Sequence, residues 1–179
     1  MTPLRKIKTG MRAFSRRNEG MAAAEFALVL PMLLAFWIGV AMAGQVESRS
    51  TAVNNAAATL ADMVAQEGGG DAPTLMRAIE STFRPEDVPK LYLKVTKVVI
   101  PSRDDGGSPS VVWWFDNKGG RGGAGGSFSL PPAMSIPGPT PRHIMVADGE
   151  MAFEPKFGSA VVGSFPLTHR ALFAPRNSQ

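Results

Sequence analysis

Nineteen consecutive residues without a charged side chain, from Phe26 to Gly44, constrain this chain more than any other feature of its sequence. An α-helix rises about 1.5 Å per residue, so a helix of this length is about 28 Å long. The hydrocarbon core of a bilayer is about 30 Å thick. The run is therefore long enough to cross a membrane, and we assign residues 21–44 as a transmembrane helix.

Basic residues are concentrated before this run. The leader, residues 1–20, carries six basic side chains and one acidic side chain, whereas only Glu47 and Arg49 stand close behind the run. Lysine and arginine are enriched on the cytoplasmic side of membrane helices, so we expect a cytoplasmic N-terminus. The net charge of +4 resides in the leader, and the rest of the chain is close to neutral. We therefore expect no nucleic-acid partner, which would require a positive stripe on the folded part.

Two interpretations of the apolar run leave one charge unexplained. The run is either a secretory signal peptide cleaved after Ala43, at Ala41-Met42-Ala43, or a plain uncleaved anchor. Cleavage after Ala43 would release a secreted periplasmic binding or accessory domain. Neither interpretation accounts for Glu25 at the start of the run, and the run exceeds the roughly 7 to 15 apolar residues of a signal peptide.

A third interpretation takes Gly20 and Glu25 together. The stretch GMAAAEF, which ends at Phe26, resembles the processing site of type IV prepilins and, more closely, of Flp-type pilins and pseudopilins. The resemblance implies that a prepilin peptidase cuts after Gly20, so that Met21 becomes the mature N-terminus and Glu25 and Phe26 complete the motif. It also implies that Glu25 sets the register between subunits by pairing with a neighbour's new amino group. The alternative is that Glu25 lies at the headgroup level, where its charge costs little.

A wider stretch carries the same resemblance. RRNEGMAAAEFALVLPMLL, followed by NNAAATLADMVAQ, is similar to the N-terminal region of TadE/TadG-like proteins, the pseudopilins of tight-adherence (Flp-type) pilus systems. Near the other end, MVADGEMAFEPKF and LTHRALFAPR resemble the closing strands of that family. The resemblance implies a minor pilin anchored in the inner membrane, with a periplasmic head. Its implied partners are other pseudopilins and pilins, the prepilin peptidase and membrane lipid, with no small-molecule substrate.

The helix is expected to continue beyond the membrane. No proline or glycine occurs from Gln45 to Gln66, which favours a helix over residues 45–67. The pattern predicts one helix from about Ala22 to Gln66, with Pro31 as a possible kink and Gly68-Gly69-Gly70 as its end. Five apolar residues on one face form a stripe on which a head can pack: Val53, Ala56, Ala57, Leu60 and Val64.

Residues 68–179 predict a small head that begins with a short helix. Asp71 is a candidate cap, Pro73 is tolerated in the first turn, and an apolar face extends to Phe83 before Arg84-Pro85 interrupts it. The alternating run KLYLKVTKVVI, from residue 90 to 100, then predicts a half-buried strand with Leu91, Leu93 and Val95 on one side and Tyr92, Lys94 and Thr96 on the other.

Further strands complete the predicted sheet. A turn that includes Asp104-Asp105 and the run VVWWFD, residues 111–116, predict a hairpin. HIMVADGEMAFEP and SAVVGSF predict two more antiparallel strands, and the glycine- and proline-rich stretch at about 117–141 predicts a long exposed loop. The predicted fold class is α+β: a long N-terminal transmembrane, pilin-like helix with a small antiparallel sheet packed on its distal half.

Candidate catalytic and metal-binding residues are few. His143 and His169 stand outside any metal-ligand spacing, and Glu150 and Glu154 alternate along a strand as on a solvated face. The run GGRGGAGG lacks the strand and helix of a phosphate-binding loop. The chain has no cysteine, which excludes disulfides and thiolate metal sites. We therefore expect no enzyme, metal or cofactor. Trp113 and Trp114 should face opposite sides of their strand, one of them exposed as a partner contact.

Overall fold

The computed structural model describes residues 4–67, 71–132, 134, 137–155 and 163–174, with side chains from Met21 onward. The chain divides into two compact units, Met1–Gly44 and Gln45–Gln179. All the strands and the second helix belong to the second unit.

The first element is one long helix, α1, Leu4–Glu67. The prediction of a single helix to about Gln66 is confirmed, but the predicted start near Ala22 is wrong because the leader is helical from Leu4. Residues 4–19 contain no proline and are rich in arginine, lysine and other good helix formers, so nothing in the leader stops the helix. Pro31 lies inside α1 without ending it. The glycines predicted to end the helix, residues 68–70, lie outside the described residues.

The short helix after them, α2, is Ala72–Glu80. Asp71 stands at the N-cap position, but its side chain makes no capping hydrogen bond, so the predicted cap is wrong. Its backbone carbonyl oxygen instead accepts hydrogen bonds from amides of the first turn. Pro73 lies in that turn, as predicted, and α2 ends before Phe83. A 3₁₀ helix, Val88–Lys90, leads into the sheet.

Five strands form one antiparallel sheet in the order β3-β2-β1-β4-β5. The two longest strands, β1 and β4, lie next to each other at its centre, and β1 and β2 form the predicted hairpin. The strands are β1 Leu91–Ile100, β2 Ser110–Asp116, β3 Arg121–Gly122, β4 Arg142–Phe153 and β5 Phe165–Phe173.

The last strand differs from its prediction. SAVVGSF, residues 159–165, was expected to form it, but β5 begins only at Phe165, and residues 159–162 lie outside the described residues. Gly163 has a φ of 70°, a left-handed conformation that interrupts an extended run. Pro166 is tolerated in β5 because β5 is an edge strand and one of its sides lacks a ladder partner among the described strands.

The main core lies between the sheet and the segment of α1 in the second unit. Every residue of the predicted stripe on α1 is buried, from Val53 to Val64. Strand alternation supplies the opposing apolar side chains: Leu91, Leu93 and Val95 of β1, and Met145, Ala147 and Met151 of β4. The α+β prediction, with the sheet packed on the distal half of the helix, is thereby confirmed.

A second apolar cluster covers the outer face, the side of the sheet opposite α1. It consists of Val98, Ile100, Leu130, Ile144 and Val146, with Phe128 and Leu172 packed against it. The prediction of one long exposed loop at 117–141 is therefore wrong in part, since residues 121–122 form β3 and Leu130 is buried. The physical reason is that the outward positions of β1 after Thr96, Val98 and Ile100, are apolar and require a cover.

Candidate functional site

The apolar half of α1 is uncovered. Every residue from Met21 to Val40 is exposed. None of the most apolar part of this helix is buried against the rest of the chain. The core helix of a globular domain would bury such a window, so this segment is not a core helix. Exposed apolar surface on this scale is favourable in lipid and unfavourable in water. Within the part of the chain that the structure describes, length, composition and exposure therefore identify one candidate membrane span, near the N-terminus.

The predicted processing site lies at the start of this uncovered segment. The Gly20–Met21 bond is within α1, and Met21 and Phe26 are 64% and 61% exposed. Gly20 is the weakest helix former in its neighbourhood, at about 1 kcal/mol less favourable than alanine. Met21 and Phe26 of the predicted motif are thus accessible on the helix surface.

Glu25 occupies one end of the uncovered segment. Its side chain is exposed and has no hydrogen-bond or ion-pair partner among the residues whose side chains the structure describes. It stands about 7.5 Å along the helix axis from Gly20, at about 1.5 Å per residue. If α1 crosses a bilayer, a carboxylate at that position is close to one of its boundaries.

Two polar contacts within the second unit connect α1 to other elements, the segment before the 3₁₀ helix and strand β5. Arg49 forms an ion pair with Asp87, and their side chains are 23% and 13% exposed. On the next residue, Ser50 Oγ is hydrogen-bonded to His169 Nε2 of β5 at 2.8 Å. Adjacent residues of one helix thus hold two distant parts of the chain. The sequence analysis missed both contacts, because no local pattern connects positions 38 and 119 residues apart.

A polar side chain also connects α2 to the hairpin. The Asn117 side-chain amide donates to Glu80 Oε1 at 2.6 Å and to the Leu91 carbonyl oxygen at 3.0 Å, and its own oxygen accepts from the Leu93 amide at 3.0 Å. Asn117 follows β2 directly, within the stretch predicted as an exposed loop. Its position after an aromatic strand was the only sequence signal, and it indicated a turn and not a bridge.

The remaining candidate residues take structural positions. Asp105 accepts a hydrogen bond from Ser102 Oγ at 2.6 Å in the predicted turn, and Glu154 pairs with Lys90 at 3.2 Å. Glu150 is exposed on β4. The described part of the chain contains no cluster of three or more side chains that could hold a metal ion. Burial, with a smaller effect from Lys97, lowers the pKa of His143 below its usual value.

The tryptophans lie on opposite faces of β2, as predicted, with Trp113 on the side of the main core and Trp114 on the outer face beside Thr96. Both are only partly buried: Trp113 packs against the main core, and the Lys94 ammonium lies 4.7 Å from the centre of the Trp114 ring. A Cβ atom on Gly122 would come within 2.3 Å of Trp114 Nε1, so the indole lies directly over the β3 backbone. Trp114 is therefore occupied by contacts within the sheet.

Comparison with known proteins bears on the uncovered helix. The family model described as TadE-like protein matches residues 20–62, which lie entirely within α1. The match begins at Gly20 and includes Glu25. Residues 20–62 of the chain are therefore similar to TadE-like proteins. Neither a curated protein nor a solved structure shows significant similarity to this chain.

Proposed function

We propose that this TadE-like chain is a membrane-anchored pseudopilin, or minor pilin, that takes part in assembly of a Flp-type tight-adherence pilus. A prepilin peptidase cuts it after Gly20. The single observation that carries the proposal is the uncovered apolar helix from Met21 to Val40, which has one carboxylate near its start and coincides with the family match.

The physical role of the uncovered helix follows from its surface. In the inner membrane its apolar side chains contact lipid, and the basic leader keeps the N-terminus in the cytoplasm, so that the unit Gln45–Gln179 is periplasmic. Once the leader is removed, the Met21 amino group of one subunit and Glu25 of another are oppositely charged. In a low-dielectric environment this pair costs less than either charge alone, and it selects one register between helices.

The partners in this proposal are other pseudopilins and pilins of the same system, the prepilin peptidase and membrane lipid. We infer a structural role without catalysis. Three side chains of the second unit support this inference, because each connects separate elements of the fold: His169 bonds to Ser50, Asp87 pairs with Arg49, and Glu154 pairs with Lys90.

A second candidate function is a secreted domain released after Ala43. One observation favours it: the boundary between the two compact units falls at Gly44, beside this site, and the whole main core belongs to Gln45–Gln179. Cleavage there would leave the core intact. The uncovered helix would then be a signal sequence, and Glu25 would have no role.

The mature N-terminus distinguishes these functions. Intact mass and N-terminal sequencing of the chain from membranes should give Met21 for the pseudopilin, Gly44 for the secreted domain and the original terminus for a plain anchor. Gly20→Val should block the first cleavage, because the peptidase must fit this residue closely, whereas Ala43→Arg should block only the second. Normal processing of Gly20→Val would refute cleavage after Gly20.

A further inference from the structure

An open cavity lies beside the first residues of the second unit. Its volume is about 310 Å³. Ligand pockets in proteins measure roughly 300–1,000 Å³, so the cavity can hold a small polar group. Three parts of the chain line it: the start of the α1 segment in this unit, the residues that lead into and form the 3₁₀ helix, and the end of β4 with the two residues after it.

The residues that α1 contributes to this cavity, Gln45 and Arg49, lie next to the end of the charge-free run. The run ends at Gly44, so Gln45 is the first residue beyond it. Arg49 stands about 6 Å further along the helix axis. The headgroup layer on each side of a bilayer's hydrocarbon core is about 5–8 Å thick. If residues 21–44 span the membrane, this wall of the cavity lies at the level of the lipid headgroups.

The cavity carries two basic and three acidic side chains: Arg49, Lys90, Glu86, Asp87 and Glu154. Arg49 and Asp87 form an ion pair, and their low exposure makes this pair part of the fold. Lys90 and Glu154 form a second pair at 3.2 Å, with side chains 43% and 61% exposed. Exposed pairs contribute at most about 1 kcal/mol, so a charged ligand can replace this one at little cost.

Glu86 is the remaining charge in the cavity. It is exposed, and it forms no hydrogen bond or ion pair with the residues whose side chains the structure describes. The lining thus combines the Lys90 ammonium group with two accessible carboxylates, Glu86 and Glu154. Ammonium groups bind phosphate oxygens, and a primary ammonium group donates up to three hydrogen bonds to carboxylates. A ligand with a phosphate and a primary amine close together matches this lining.

We propose that this cavity binds the ethanolamine headgroup of a zwitterionic phospholipid. Lys90 binds the phosphate, and Glu86 and Glu154 bind the ammonium group. The excess of carboxylates disfavours a purely anionic headgroup, and a quaternary ammonium group has no N–H to donate to them. The proposal rests on the membrane anchoring in the proposed function, and it names the lipid that the unit Gln45–Gln179 recognises.

The lipid selectivity of the full-length chain in detergent micelles tests the proposal. Native mass spectrometry measures the apparent dissociation constants of phosphatidylethanolamine, phosphatidylcholine and phosphatidylglycerol with identical acyl chains. Phosphatidylethanolamine should bind about two- to fivefold more tightly than either of the others, the difference expected for exposed charge contacts. Equal affinities for the three lipids would overturn the proposal.

Matched substitutions assign the selectivity to the cavity. The double variant Glu86→Gln/Glu154→Gln should lose the preference for phosphatidylethanolamine over phosphatidylglycerol, and Lys90→Gln should weaken binding of both lipids about two- to fivefold. Glu67→Gln and Lys97→Gln make the same charge changes outside the cavity, at the end of α1 and within β1, and should keep the natural selectivity. Selectivity that survives in the double variant would place lipid recognition elsewhere and refute the proposed site.

A soluble headgroup separates this proposal from membrane anchoring. Glycerophosphoethanolamine has the same phosphate and amine but no acyl chains, so its binding to the full-length chain depends on the cavity alone. It should shift the NMR signals of the Glu86, Lys90 and Glu154 amides, and the double variant should abolish these shifts. Shifts combined with a mature N-terminus at Gly44 would refute membrane anchoring and the lipid as the source of the headgroup. Absence of shifts combined with an N-terminus at Met21 would refute headgroup binding alone.

Discussion

Val53 of α1 lies directly against Gly149 of β4. A Cβ atom on Gly149 would come within 3.0 Å of Val53 Cγ1 and 3.3 Å of the Val53 carbonyl oxygen. The helix approaches the sheet at this point because the strand presents no side chain there. One glycine in a central strand thus sets the distance between the two layers of the core.

Gly149→Ala should therefore destabilise the unit Gln45–Gln179. An added methyl group forces the helix and sheet apart, at a cost of about 1–3 kcal/mol. Thermal or urea unfolding of the fragment 45–179 measures the change. Gly123→Ala is the matched control, since its Cβ atom would meet nothing within 4 Å, and it should unfold like the natural fragment.

Leu60 provides a test of α1 as the spine of the core. Leu60→Ala should lower the free energy of unfolding by about 2–5 kcal/mol, because Leu60 is completely buried between α1 and the sheet. Asn55→Ala, on the exposed side of the same helix, should have little effect. A natural melting temperature for Leu60→Ala would show that the helix does not support the sheet.

The ion pair between Arg49 and Asp87 should contribute more than the exposed pairs of the sheet. Because both side chains are largely buried, Asp87→Asn leaves the Arg49 charge without its carboxylate. We expect the free energy of unfolding to fall by about 1–3 kcal/mol. Lys90→Gln, in the exposed pair with Glu154, should cost at most about 1 kcal/mol. A double-mutant cycle with Arg49→Gln isolates the pairwise energy, and a coupling near zero would contradict this role.

His143 should make stability depend on pH. Burial lowers its pKa in the folded state below the usual 6.5, so the unfolded chain binds the proton more readily. Its contribution is fully present above pH 6.5 and is lost as the pH falls through the lowered pKa. The melting temperatures at pH 7.5 and pH 5.5 should therefore differ less for the His143→Gln variant of fragment 45–179 than for the unmodified fragment. An identical difference would show that His143 does not contribute to the pH dependence of stability.

Glu25→Gln separates the two roles considered for this carboxylate. Removal of the charge lowers the cost of membrane insertion, so the variant should be inserted and cut normally. If Glu25 pairs with the amino terminus of a neighbour, crosslinking to partner pilins and pilus-dependent attachment should fall while the mature protein remains at its natural level. Glu25→Asp, which keeps the charge, is the control. Unimpaired attachment by Glu25→Gln would favour the headgroup position.

Local patterns were sufficient for most of the elements. The charge-free run and the stripe from Val53 to Val64 predicted α1, and the alternation in residues 90–100 predicted β1, because period 3.6 and period 2 are properties of neighbouring residues. The motif around Gly20 and Glu25 is local as well, and residues 20–62 carry the family match. The sequence by itself therefore determined the long helix, the sheet that packs on it and the similarity of residues 20–62 to TadE-like proteins.

Only the tertiary structure decided how distant residues meet. The ion pair of Arg49 with Asp87, the hydrogen bond of Ser50 with His169 and the contact of Gly149 with Val53 join positions that no local pattern relates. The cover over the outer face is a similar case, since a glycine- and proline-rich composition indicates a loop but not the surface on which its two apolar side chains pack. The physical reason is that burial and hydrogen bonding depend on the whole folded chain, whereas periodicity depends on a single element.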